Sequence, residues 1–235
     1  MRTPLWHTAA WIYKCLDLSK ERERVLFNDT DPETGFLLNV DTKWKTHPKC
    51  TEDATERKLW KGHEAIRDLY CLAICHRRDI RSLRDLTAAH LPLLRNIRDV
   101  GVDTVCDVYG VQPHELRVFV HYQPQFYHFH VHFTRLHSDL GCQVERAHLL
   151  QDIIDTLEAD GNAYAKRRTL YYQLKANDKL LAKLVDDGAA VPTLTRAGAS
   201  DAALAVGGAK HSREVTSPKQ KQQQARRMSS SPARK

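Results

Sequence analysis

This 235-residue sequence predicts an α+β fold, an antiparallel sheet with helices packed on it, and three observations carry that reading. First, "ELRVFVHY" and "YHFHVHFTRL" (115–122 and 127–136) read as two strands joined by the short turn "QPQF", a connection that only an antiparallel pair permits. Second, stretches such as "LTAAHLPLLRNIRDVGVDTVCDVYG" space their apolar residues with the period of a helix. Third, strand and helix patterns are interspersed along the chain. Hydrophobic residues make up 42%, enough for one core, and one globular domain with appendages is expected.

The elements follow in order. "WHTAAWIYKCLDLSKERER" (6–24) reads as an amphipathic helix with Trp11, Cys15 and Leu18 at helical spacing. "RVLFND" and "GFLLNV" are short strands around the turn-rich "DTDPETG". Residues 45–63, "KTHPKCTEDATERKLWKGH", are polar and patternless and read as a surface insertion. "LYCLAICHR" is an apolar strand. Residues 86–110 form a long helix with Thr87 as N-cap. After the hairpin, "ERAHLLQDIIDTLEAD" is a helix with Ala147, Leu150, Ile154 and Leu157 on one stripe. "RRTLYYQLK" reads as a strand and "DKLLAKLVDD" as a last helix. Beyond about Gly188 the chain is rich in Ala, Gly, Ser, Gln, Lys and Arg, which cannot bury enough apolar surface to order itself. The expected organisation is a domain at 1–188 and a disordered basic tail at 189–235.

The formal charge is +7. From Lys210 to Lys235 there are eight Lys or Arg and one acid, Glu214, which leaves 28 basic and 28 acidic residues elsewhere. The basicity therefore belongs to the tail. It reads first as a solvated end and second as an RNA tether through phosphate contacts. The six cysteines show no C-x-x-C pair, and Cys71 and Cys75 sit in an apolar run where cysteine behaves as a small hydrophobe. There is no signal peptide and no apolar run of membrane-spanning length, so no membrane association is expected. A reducing compartment, cytoplasm or nucleus, is the expected location.

In "YHFHVHFT" (127–134), alternation along a strand puts His128, His130 and His132 on one face and Phe129, Val131 and Phe133 on the other. The second set is core. Four readings of the first stand open: core histidines, a zinc site, an anion-binding face, and phosphate chemistry with one imidazole as nucleophile. For zinc, no Cys, Asp or Glu stands at a persuasive spacing to complete the ligands.

The run also matches the His-φ-His-φ-His-φ-φ pattern of the histidine-triad superfamily, with Thr134 at the last apolar position. Around it, "ICHRRDIRSLRDLTAAHLPLLRNI" and "ERAHLLQDIIDTLE" resemble the catalytic domain of the scavenger mRNA-decapping enzymes, from about Trp11 to Leu184, apart from the insertion at 45–63. The resemblance implies a histidine-triad-like antiparallel sheet. It implies hydrolysis of 7-methylguanosine cap dinucleotides or short capped RNA, without a cofactor or metal, by a homodimer. His130 would be the nucleophile, forming a phosphohistidine. His128, His132 and His121 would assist at the phosphates. Trp11 would stack on the methylated base, whose positive charge suits an indole face. Glu21 would accept hydrogen bonds from the base edge. Asp41 and Lys43 would hold the ribose and a phosphate, with further contacts from Thr42, Tyr122, Gln125 and Phe126. Taken alone, a tryptophan on an amphipathic helix is more often core, and Glu21 and Lys43 would be ordinary solvated charges.

Several positions depart from the family pattern. Thr42 stands where an apolar residue would cover the base, Val40 replaces a proline, Phe126 a tyrosine and Gln125 a small polar residue. The chain begins almost at Trp11, so the family's N-terminal lid domain is expected to be missing and closure over the cap weakened. Two other functions remain in view: a general dinucleoside-polyphosphate hydrolase or nucleotidyl transferase, and a cap-binding module with reduced turnover.

Overall fold

The computed structural model describes residues 10–174, 176, 177 and 179–188. The chain divides into two compact units, Met1–Leu174 and Lys175–Lys235. The expected tail, 189–235, lies outside the described residues. In the second unit a helix, Lys179–Asp186, carries an i,i+4 ion pair between Lys183 and Asp187 (2.8 Å).

The first unit is built on a six-stranded sheet. Its strands are β1 (Val25–Asn28), β2 (Phe36–Val40), β3 (Tyr70–Cys75), β4 (Leu116–His121), β5 (His130–Arg135) and β6 (Ala147–Leu149), in the spatial order β1-β2-β3-β5-β4-β6. Every neighbouring pair is antiparallel. The hairpin of β4 and β5 therefore forms as its short connection requires, with Phe119 opposite His132.

Side-chain alternation gives the sheet two faces with different cover. On one, Phe129, Val131 and Phe133 join Leu38, Val40 and Ala73 in the main core, under α3 (Leu91–Tyr109) and α4 (Leu150–Ala159). Helix α3 lies close because Gly101 has no Cβ. One added there would meet Phe133 Cζ at 2.6 Å. On the other face, Leu37, Leu72 and Ile74 pack against Ile12 and Leu16 of α1 (Ala10–Leu16). A short helix thus lies on the histidine face, and its Tyr13 meets the His128 ring edge-on at 5.7 Å.

Five sequence expectations are corrected. Helix α1 stops at Leu16 because Leu18 and Glu21 adopt left-handed backbone (φ 54° and 58°), and its buried stripe is Ile12, Cys15 and Leu16, leaving Trp11 outside it. Thr87 caps a 3-10 turn, Ala88–His90. The α-helix starts only at Leu91, with Pro92 in its first turn, where a missing N–H costs nothing. Residues Ala147–Leu149 pair with β4, so Ala147 leaves the helical stripe and Ile153 enters it.

Residues 168–173 form no strand. Arg84 Nη1 donates to the carbonyls of Tyr164 (3.0 Å) and Arg168 (2.6 Å), which anchors this stretch without a ladder.

The insertion at 45–63 is the fifth correction. Asp53 caps α2 (Ala54–Arg57) through the N–H groups of Thr55 and Glu56. Beyond it Trp60, only 2% exposed, packs with Trp44, His47 and Tyr109. His47 Nδ1–H donates to the Pro48 carbonyl, so Nε2 accepts from the Tyr109 hydroxyl at 3.0 Å. The polar exterior of the insertion hides an aromatic anchor.

Candidate active site

The first ladder residue of β5 is His130, and His128 lies just before it. Its neighbour Phe129 is held there by its N–H on Ile80 O (2.9 Å) and by its carbonyl, which accepts from Cys75 N–H (3.3 Å). His128, His130, His132 and His121 are all buried. Ring centroids lie 4.2 Å apart for His121 and His132 and 5.0 Å apart for His130 and His132.

Carbonyl partners set the tautomers, because a carbonyl only accepts. His130 Nδ1–H donates to the His128 carbonyl at 2.7 Å, so a neutral ring keeps its lone pair on Nε2. His128 Nε2–H donates to the Cys75 carbonyl at 2.8 Å. His121 Nε2–H donates to the Gly141 carbonyl at 2.6 Å. His132 Nδ1 lies 3.1 Å from the Tyr70 hydroxyl. Of the ring nitrogens of these four histidines, Nδ1 of His121 and Nε2 of His132 are buried without a hydrogen-bond partner among the described residues.

Burial holds these imidazoles neutral. It lowers His130 to about 3 and His121 to about 4, and depresses His132 and His128 as well. The charge of Lys43 pushes His130, His132 and His121 the same way, and that of Arg146 does so for His132 and His121. Lys43 is itself lowered, mainly by burial and against the pull of Asp41.

The structure brings Phe126, Trp11, Asp41 and Lys43 towards the histidines or Tyr70 and leaves Tyr122 in the core. Phe126 stacks on His130 with centroids 4.0 Å apart and planes at 23°. Trp11, 37% exposed, meets Phe126 edge-on at 5.5 Å. Asp41 is buried at the end of β2, where its Oδ1 accepts the Lys43 N–H at 2.7 Å. The Lys43 ammonium stands 5.2 Å from the centre of the Tyr70 ring. Thr42 and Gln125 are exposed. Glu21 sits in a left-handed turn ahead of β1, and its side chain caps nothing. Tyr122 packs into the main core beneath Arg84. Among the described residues, no group of three His, Cys, Asp or Glu is placed to hold a metal ion.

Residues 10–148 match the family model described as "Scavenger mRNA decapping enzyme C-term binding". The chain belongs to the scavenger mRNA-decapping enzyme family. It is 47% identical over 175 residues to the m7GpppX diphosphatase of Bos taurus, an alignment covering 74% of this chain and 47% of that protein. The Homo sapiens m7GpppX diphosphatase is 45% identical over 172 residues (73% and 46%), and that of Caenorhabditis elegans 37% over 172 residues (73% and 50%). The chain spans about half the length of the curated relatives it matches.

Within this family domain, sequence reasoning missed Tyr70 and Gly141. Tyr70 looks like one more residue of an apolar strand. Only the register, which sets it across from Thr134, brings it beside His132. Gly141 has φ +80°, and a Cβ there would come 2.8 Å from the Tyr70 hydroxyl and 3.5 Å from His121 Cε1. Nothing in "DLGCQ" signals that contact.

Proposed function

We propose that this chain hydrolyses 7-methylguanosine cap dinucleotides, or the capped ends of short RNA, through a phosphohistidine. The observation that carries the reading is the 2.7 Å bond from His130 Nδ1–H to the His128 carbonyl two residues back, which leaves Nε2 as a neutral nucleophile. That nitrogen would attack the phosphorus nearest the methylated guanosine and expel a nucleoside diphosphate or the rest of the RNA. Water would then release 7-methylguanosine monophosphate. If the Tyr70 O–H donates to His132 Nδ1, His132 carries its proton on Nε2 and can hydrogen-bond a phosphate oxygen as charge builds there. Lys43 supplies a positive charge at the same end of the site. Trp11 and Phe126 offer the aromatic surface for the methylated base.

The test is to incubate the protein with methylated and unmethylated cap dinucleotides and separate the products. Methylated caps should yield 7-methylguanosine monophosphate, and His130→Asn should abolish turnover while leaving cap binding measurable. Equal hydrolysis of both caps would favour a general dinucleoside-polyphosphate hydrolase. Turnover by His130→Asn would overturn the assignment of the nucleophile. A homodimer in the cytoplasm or nucleus completes the proposal. Exposed apolar side chains near the β6 edge (Val144, 89% exposed, and Leu149, 47%) suit association, and six free cysteines suit a reducing compartment. Sedimentation equilibrium and fractionation of cells would test the two points.

A further inference from the structure

Two buried ring nitrogens stand without partners on imidazoles 4.2 Å apart, Nδ1 of His121 and Nε2 of His132. An unpaired buried polar atom forfeits its hydrogen bond to water, so a pair of them in one place calls for an occupant. Their hydrogen-bonding characters differ. His121 donates from Nε2 to the Gly141 carbonyl, so its Nδ1 offers only a lone pair. When the Tyr70 hydroxyl donates to Nδ1, His132 offers an N–H from Nε2. A phosphate oxygen only accepts, and would meet a lone pair at His121. A water molecule can do both, donating to His121 and accepting from His132.

We propose that His121 is the general base of the second half-reaction, its Nδ1 taking a proton from the water that attacks the phosphohistidine. The proposal rests on the phosphohistidine reading above. As the water oxygen bonds to phosphorus, the bond from phosphorus to His130 Nε2 breaks and its electron pair returns to that nitrogen. One water proton passes to His121 Nδ1, and the other stays on the product phosphate. His121 then returns its proton to solvent. Gly141 is the positioning residue, because its carbonyl decides which nitrogen of His121 is bare.

The surroundings keep that nitrogen bare at neutral pH. His121 is faced by His132, by Phe119 and by the Gly141 carbonyl, with Arg146, Lys43 and His148 close enough to oppose a further positive charge. Burial is the larger influence in the same direction.

Cap dinucleotide labelled on the phosphate next to 7-methylguanosine, followed by rapid quench, separates the two half-reactions. His121→Gln should slow dephosphorylation far more than label formation, accumulate about one label per chain, and lose 10²- to 10⁴-fold in turnover, roughly the range for general-base catalysis. Azide carries no proton, so it should restore part of the dephosphorylation in His121→Ala. Equal slowing of both half-reactions, with no accumulated label and no azide rescue, would overturn the proposal. Absence of both label and product from the unmodified chain would instead overturn the phosphohistidine reading. In that event, and equally if the variants fail to fold, ¹⁵N NMR of the unmodified protein with a non-hydrolysable cap analogue decides. A neutral His121 protonated on Nε2 supports the base, and an imidazolium in the complex overturns it.

Discussion

The hydroxyl of Tyr70 lies 3.1 Å from Nδ1 of His132, joining two residues 62 positions apart across the β3–β5 ladder. This contact settles which nitrogen of His132 faces the rest of the cluster, and burial raises the Tyr70 hydroxyl well above its ordinary range, so it stays protonated.

Tyr70→Phe should therefore lower kcat on methylated cap dinucleotide by about tenfold with KM little changed. Losing a buried partner costs roughly 1–3 kcal/mol, and about 1.4 kcal/mol is a factor of ten. Steady-state kinetics on the two proteins checks this. Unchanged kcat would remove Tyr70 from the site.

Trp11 is more open to water than a fully enclosed base platform. A cation–π contact at an exposed site is worth ~0.5–1 kcal/mol, so the preference for methylated over unmethylated caps should be roughly two- to fivefold. Trp11→Ala should remove it and Trp11→Phe should keep part. Fluorescence titration with both caps gives the answer, and a preference that survives in Trp11→Ala would point to another platform.

The buried histidines also predict acid sensitivity. Their folded-state pKa values lie below the ordinary 6.5, at about 4 for His121 and about 3 for His130. The stability they contribute is present above pH 6.5 and is lost as pH falls towards those values, because the unfolded chain takes up protons first. Each such group steepens the loss by about 1.4 kcal/mol per pH unit. Urea unfolding at pH 7, 6 and 5 should show the decline, and His130→Asn should shallow it by one proton. A flat profile would mean the imidazoles are not held neutral.

Trp60→Ala should cost about 3–5 kcal/mol, the range for removing a buried large aromatic. The residue stacks with Tyr109 at 6.2 Å and packs against His47, so its loss should loosen the insertion. Denaturant titration gives the stability, and limited proteolysis at 45–63 gives the loosening. A stable, protease-resistant variant would return the insertion to a surface role.

Alternation alone placed His128, His130 and His132 together, and Phe129, Val131 and Phe133 on the core side. That follows from the period of an extended chain and holds whichever strands lie alongside. Helices α3 and α4, the β4–β5 hairpin and the α+β class were legible for the same reason, since local periodicity needs no distant partner. Elements whose backbone is satisfied from afar were not. Residues 167–175 carry a strand's composition, but the guanidinium of Arg84 takes the carbonyl of Arg168 at the start of the stretch. Trp60 sits in a polar stretch whose partner, Tyr109, is supplied by another helix.

Within the site, the sequence by itself determined which imidazoles share a face. For three of the four imidazoles, only the tertiary structure decided which nitrogen is held and which is left free, the exception being His130, whose partner is the carbonyl two residues back. Cys75 O is 53 positions from His128, Gly141 O is 20 from His121 and the Tyr70 hydroxyl is 62 from His132. A tautomer is chosen by the hydrogen bond at the opposite nitrogen, and here three of the four partners arrive through strand pairing and loop closure.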